Sequence, residues 1–150
     1  MGKTTDNSSR SSVSTIHELQ DATRQFRIIT SGEDIIQRTG EQLVRACQLQ
    51  MSVAAWQQNF DLTVQHVEAW CKDRADQVLA ALVALRSDKI VFYIIPKSEA
   101  YDFALGREQA DLDIHMNTRG GIGYAETRQV PRWEFTRFVP QDAFRVWPRD

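Results

Sequence analysis

From Glu41 to Ile95 the chain contains neither glycine nor proline. A stretch that long without the two residues that punctuate backbone structure has to form extended regular elements. Ile36, Leu43, Val44, Cys47, Met51 and Ala54 make one apolar stripe at helical spacing, and Phe60, Val64, Val67, Cys71, Val78, Leu82 and Leu85 make a second with nearly heptad spacing. Upstream, Ser31-Gly32-Glu33-Asp34 can cap a helix and set acidic side chains at its positive end. Extending the second register backwards puts Gln57 and Gln50 on the seam, so the stripes are out of phase. The helical region therefore rotates its buried face or breaks near Gln57-Gln58-Asn59, with Asn59 or Asp61 capping a second helix. One helix from Glu33 to Arg86 would be about 80 Å long, more than a compact domain of this size spans. Two antiparallel helices are expected, with a long dimeric coiled coil as the alternative.

Ser87-Asp88-Lys89 ends the helical region, and Ile90-Val91-Phe92-Tyr93-Ile94-Ile95 comes next as an unbroken β-branched and aromatic run stopped by Pro96. Such a run predicts a strand buried on both faces. Residues 105–118 read two ways. With period 2, Leu112, Ile114 and Met116 alternate with Asp111, Asp113 and His115. With helical period, Leu105, Leu112 and Met116 share a face, Arg119 lies in the last turn and Gly120 stands as a C-terminal cap. The helical reading is preferred because it yields a β–α–β unit, with Gly123–Val130 as the next strand, and so covers the first. The expected class is α+β: a long N-terminal helical segment, as two helices or one kinked helix, followed by a small sheet containing a β–α–β unit. Residues 1–15 are almost wholly polar and cannot offset chain entropy by burial. Ile16, Leu19, Ala22, Phe26 and Ile29 recur at three- and four-residue steps, which suggests a short helix or a segment that orders against the rest. The expected organisation is a largely disordered leader over 1–30 and one domain over 31–150, helical over 33–86 and sheet-containing over 89–150.

With 150 residues and 42% hydrophobic side chains the chain suits one domain with one core. A net charge of −2 excludes a global field that would draw it to nucleic acid or anionic lipid. Cys47 and Cys71, the only cysteines, cannot staple a small secreted domain and read as reduced and buried. No apolar run is long enough to span a membrane, and the first ten residues lack the apolar core of a secretory signal. Gly2 would suit N-myristoylation, but Asp6 stands where that pattern wants Ser or Thr. A soluble, cytoplasmic protein without a membrane anchor is expected.

Motifs for chemistry are scarce. His17, His66 and His115 lie in separate segments without a second ligand at metal-binding spacing, so no metal site is expected. Gly2-Lys3-Thr4 lacks the upstream glycine of a phosphate-binding loop, and Gly121-Ile122-Gly123 has Glu126 where a dinucleotide fingerprint needs its third glycine. No cofactor is implied. Asp111, Asp113 and Glu126-Thr127-Arg128 are distantly similar to the pattern of restriction-endonuclease-type nucleases, in which an Asp and a Glu-x-Lys hold Mg²⁺ and position a water. Arg128 replaces that lysine, and a guanidinium cannot take a proton from water.

Between Pro131 and Asp150 aromatic residues are interleaved with Arg132, Arg137, Arg145 and Arg149, the composition of binding hot spots and of surfaces that stack single-stranded bases. Burial of those aromatics against the chain's own core is the ordinary alternative. Trp133, Phe135, Arg137, Phe138 and Trp147 are the candidate partner-binding residues. Phe60, Val64, Val67, Cys71 and Val78 are the candidate oligomer face, because helical stripes this apolar are expected to exceed what a small sheet can cover. The sequence reading is a non-enzymatic protein–protein interaction or assembly subunit, homo-oligomeric through its helices. A Mg-dependent hydrolase or nuclease using Asp111, Asp113 and Glu126 and a single-stranded nucleic-acid binder are the alternatives.

Overall fold

The computed structural model describes residues 16–21, 24–29, 32–86, 88–138, 140 and 142–149, with side chains placed from Thr39 onward except at 136 and 138. In chain order the elements are strands β1 (Ile16–Asp21) and β2 (Arg24–Ile29), helices α1 (Gly32–Gln48) and α2 (Val53–Asp73), strands β3 (Val78–Leu85) and β4 (Ile90–Pro96), helix α3 (Phe103–Arg119), strand β5 (Ala125–Gln129), the one-turn helix α4 (Phe135–Phe138) and strand β6 (Phe144–Trp147). Helices packed on a four-stranded mixed sheet of order β5-β4-β3-β6 make the class α+β.

The helical region is shorter than its periodicity suggests. Its first break falls at residues 49–52, where Gln50 adopts φ +55° and Ser52 caps α2 by accepting the Ala55 N–H at 3.1 Å. Gln57-Gln58-Asn59, the expected break, lies inside α2, and the Asn59 side chain donates to the Gly121 carbonyl instead. The helix ends at Asp73, and Val78–Leu85 is a strand rather than the last turns of a helix. Val78, Leu82 and Leu85 fit helical spacing, but Leu79, Ala80, Ala81, Val83 and Ala84 between them are apolar as well. A run with no polar face cannot stay helical beside solvent, and as a strand it buries both faces. β3 pairs antiparallel with β4, placing Leu82 opposite Tyr93 and Val83 opposite Phe92.

β4, α3 and β5 form the expected parallel β–α–β unit. Asp102 caps α3 by accepting the Leu105 N–H at 3.0 Å, and Leu105, Leu112 and Met116 are buried beneath it. Gly120 ends the helix, and Gly121 (φ +62°) turns the chain back, a conformation that favours glycine. β5 is an edge strand, and α3 covers that edge. The Asn117 side chain donates to the Ala125 carbonyl (2.6 Å) and accepts its N–H (3.0 Å), and the Asp113 carboxylate accepts the Thr127 N–H (2.7 Å). Side chains thus take the place of a fifth strand and close the edge to edge-to-edge pairing.

Strand alternation sorts the core into two layers. Val78, Ala81, Val83, Leu85, Ile90, Phe92 and Ile94 face α2 and α3, meeting Trp56, Val64, Val67, Trp70, Cys71, Leu105, Leu112 and Met116. Ala80, Leu82, Ala84, Val91, Tyr93 and Ile95 face the other way, where Val130, Phe135 and Ala143 of the crossing from β5 to β6 cover them. The backbone of Ile16–Asp21 pairs antiparallel with Arg24–Ile29, so of the two expectations for this stretch, a short helix or a segment ordering against the rest, the helical one gives way to two paired strands. Residues 1–15, the polar part of the expected leader, lie outside the described residues. No described helix is long and apolar enough to cross a membrane.

Candidate functional site

The stripe expected to drive self-association is enclosed by the chain's own sheet. Val64, Val67, Cys71 and Val78 are buried, the first three beneath α2 and Val78 in β3, while Phe60 is partly buried at the end of the same face. Each such side chain stabilises the fold by about 1.5–3 kcal/mol. The small sheet covers this stripe because it is four strands wide, with β6 and the apolar run of β3 widening it beyond the β–α–β unit.

Helix α1 behaves oppositely. It turns Arg45 and Ala46 inward, whereas Leu43 and Val44 are 52% and 48% exposed and Cys47 is exposed beside them. Arg45 donates to the Arg86 carbonyl and so ties α1 to the β3–β4 turn. Burial lowers the pKa of its guanidinium, and Asp88 and then Glu41 oppose that shift. The inward position is thus held by a hydrogen bond and two acidic neighbours rather than by apolar packing.

Alongside α1 lies a cleft of about 390 Å³, in the range of natural binding sites. Phe60 and Val64 of α2, Val83 and Leu85 of β3, and Phe144 and Val146 of β6 supply its apolar surfaces. Thr39 and Gln42 of α1, Gln57 and Asp61 of α2, and Arg145 and Arg149 complete the lining. The polar rim is held by hydrogen bonds and an ion pair within the chain. Gln42 donates to Gln57, Gln57 donates to Asp61 (2.8 Å), and Arg149 donates to the Val146 carbonyl (3.2 Å) while pairing with Glu68 at 3.6 Å. The sequence-derived candidate sets therefore meet here only in part: Phe60 of the second helical stripe faces Phe144, Arg145 and Arg149 of the Arg/aromatic segment.

The five candidate partner-binding residues are scattered. Phe135 is buried in the second core layer, and Trp147 packs partly buried against the first. Trp133 is 64% exposed and Arg137 is exposed, and the Phe138 side chain lies outside the described ones. Trp133 follows Arg132, which donates to the Lys97 carbonyl, and Tyr101 and Phe103 stand exposed in an edge-to-face pair 4.9 Å apart. Glu99, Asp102 and Glu134 are interspersed with these cations, so the aromatics do not lie on a uniformly basic track of the kind that follows a phosphate backbone.

The three carboxylates do not converge. Asp111 is exposed, Asp113 caps the β5 edge, and Glu126 pairs with Lys89 (3.2 Å) and Arg128 (2.8 Å). Glu126 lies opposite Val91 on the far layer of the sheet, whereas Thr127, whose N–H meets Asp113, faces α3. Burial raises the Asp113 pKa, the hydrogen bonds from Thr127 lower it, and the Glu126 charge raises it. Among the described residues no group of three His, Cys, Asp or Glu side chains is placed to hold a metal ion.

One arrangement is not legible in the sequence. His66 of α2 and His115 of α3 stack with ring centroids 3.9 Å apart and planes 14° from parallel, lining a small cavity with Asn59, Leu62, Thr63, Arg119 and Gly120. Burial lowers the His66 pKa, and the neighbouring His115 lowers it further. Buried Cys71 is pushed up to about 12 by burial, which leaves it without nucleophilic character at neutral pH.

Comparison with protein-family models, with curated proteins and with solved structures gives no match.

Proposed function

We propose that this chain is a non-enzymatic, cytoplasmic interaction protein, an assembly subunit that binds a protein partner through α1 and the cleft beside it. The observation that supports this reading most is the half-exposed apolar pair Leu43 and Val44 on α1, the helix whose Thr39 and Gln42 line a cleft floored by Phe60, Val64, Leu85 and Phe144. Exposed apolar side chains are ordinary singly, but beside a concave apolar floor with an ordered polar rim they have the make-up of an interface centre. The C-terminal segment contributes through Phe144, Arg145 and Arg149, while buried Phe135 and partly buried Trp147 serve the fold.

Site-specific photo-cross-linking in cells tests this. A benzophenone side chain at Val44 or Gln57 is expected to form protein adducts that Leu43→Glu suppresses, while the same group at Arg107 on the exposed side of α3 is expected to form none of them. Identical adducts from all three positions, or none from the first two, would contradict it.

A further inference from the structure

We propose that the seam between α2 and α3 holds a binding site for a small tetrahedral oxyanion, phosphate or a phosphomonoester, formed by His66 of α2 and by His115 and Arg119 of α3. The site is separate from α1 and the cleft and does not depend on the reading of either. Between the two helices the His66 and His115 rings stack with centroids 3.9 Å apart and line a cavity of about 200 Å³ together with Arg119. That volume is below the range of about 300–1,000 Å³ typical of sites for larger organic ligands, and it suits an ion. Asn59, Leu62, Thr63 and Gly120 complete the lining, so every titratable side chain in it is basic and no carboxylate is among them. Among the described residues the Arg119 side chain makes no hydrogen bond or ion pair. His66 and Arg119 are exposed and His115 is half-buried, so a solute reaches all three.

The surroundings decide which charge the cavity takes. Desolvation and then the neighbouring His115 lower the His66 pKa, and no acidic side chain among the described residues opposes them. An anion in the cavity offsets that resistance to protonation, so its binding and proton uptake at His66 are linked. The negative end of the α3 dipole, about half an elementary charge, favours Arg119 in the last turn and disfavours an anion, but the guanidinium alone outweighs it. The dipole asks for no imidazole on α2. A metal ion fits less well, because ring planes only 14° from parallel cannot both direct a nitrogen lone pair at one atom, and Arg119 would repel a cation.

Proton NMR of the histidine ring signals in the purified full chain tests this, with chloride at matched ionic strength as the blank. Sodium sulfate, whose charge is constant between about pH 5 and 8, is expected to shift the His66 and His115 signals saturably and to raise the His66 pKa. Its affinity is therefore expected to increase by roughly tenfold from about pH 7.5 to 5.5. Inorganic phosphate and methyl phosphate are expected to shift the same signals, the tighter of the two telling free ion from ester. Arg119→Gln, at an exposed position, is expected to weaken sulfate binding about tenfold with the amide spectrum otherwise preserved. Arg107→Gln, about 18 Å away along α3, is expected to change it little. Shifts no larger than those with chloride, an unchanged His66 pKa, equal losses from both arginine variants, or saturation by Zn²⁺ instead of the anions would overturn the proposal.

Discussion

Helices α1 and α2 are consecutive, joined by four residues, and both carry an apolar stripe, yet they use those stripes in opposite ways. In α2 the stripe of Trp56, Val64, Val67 and Cys71 is sealed against the sheet, and the outside is mostly polar, with Leu62 its one large exposed apolar side chain. In α1 the packed side includes a guanidinium, and Leu43 and Val44 look outward. Amphipathicity therefore does not by itself say which side of a helix is the inside. What decides is the surface available to receive it: α2 lies over the broad apolar face of β3 and β4, whereas α1 is held by Arg45 at the β3–β4 turn and by the Gln42–Gln57 hydrogen bond to α2.

Truncation is the sharpest way to break this contrast. Trp56→Ala removes a fully buried ring and leaves the Ile122 carbonyl, which accepts the indole N–H at 3.1 Å, without that partner. A loss of about 3–5 kcal/mol is expected in chemical denaturation. Leu43→Ser on α1, measured at concentrations low enough to exclude association, is expected to change stability by no more than about 0.5 kcal/mol. Comparable losses at both positions would mean that α1 also packs its apolar side inward. A smaller effect tests the sheet edge in the same spirit. Asn117→Ala uncovers the Ala125 N–H and carbonyl at the β5 edge, and because Asn117 is itself exposed, water reaches part of the vacated space. The expected cost is about 1 kcal/mol, together with faster hydrogen exchange at Ala125; an unchanged exchange rate would show that the side chain does not guard that edge.

The smallest expected effect concerns pH and the seam between α2 and α3. The folded pKa of His66 lies below its unfolded value, so the unfolded chain takes up the proton first as the solution is acidified. The stabilising preference for neutral His66 is present above the ordinary histidine range of about 6.5 and diminishes as pH falls through it. Denaturation midpoints of the wild-type chain should therefore decline modestly between about pH 7 and 5. Replacing His115 with Asn should flatten the decline only in part, since burial is the larger cause, and His66→Asn should remove this contribution. An equal slope in all three proteins would place the titrating group elsewhere.

The second half of the chain is more legible than the first. Ile90–Ile95 announces a doubly covered strand by composition, Pro96 stops it, and the spacing of Leu105, Leu112 and Met116 ahead of Gly120 marks the crossover helix that makes β4 and β5 parallel. Val78–Leu85 deceives because alanine and leucine satisfy a helical register as readily as a strand, and an apolar run of eight residues contains every period at once. The polar stretch from Asp73 to Gln77 is the available signal for a helix end. The cleft is half visible, in Phe60 and in the Arg/aromatic segment, because those residue types are suited to interfaces. Its α1 wall is not, since the burial of Arg45 depends on a carbonyl 41 residues away. The stacking of His66 on His115 likewise arises only when α2 and α3 are laid side by side.

The two cysteines report on the two helices, and their alkylation in the native protein tests the contrast between α1 and α2 directly. At low protein concentration and mildly alkaline pH, Cys47 on the outward ridge is expected to react fully with iodoacetamide while Cys71, buried and with its pKa raised to about 12, remains unmodified until denaturant is added. Native-state labelling of Cys71 at a rate matching or exceeding that of Cys47 would contradict the arrangement of both helices.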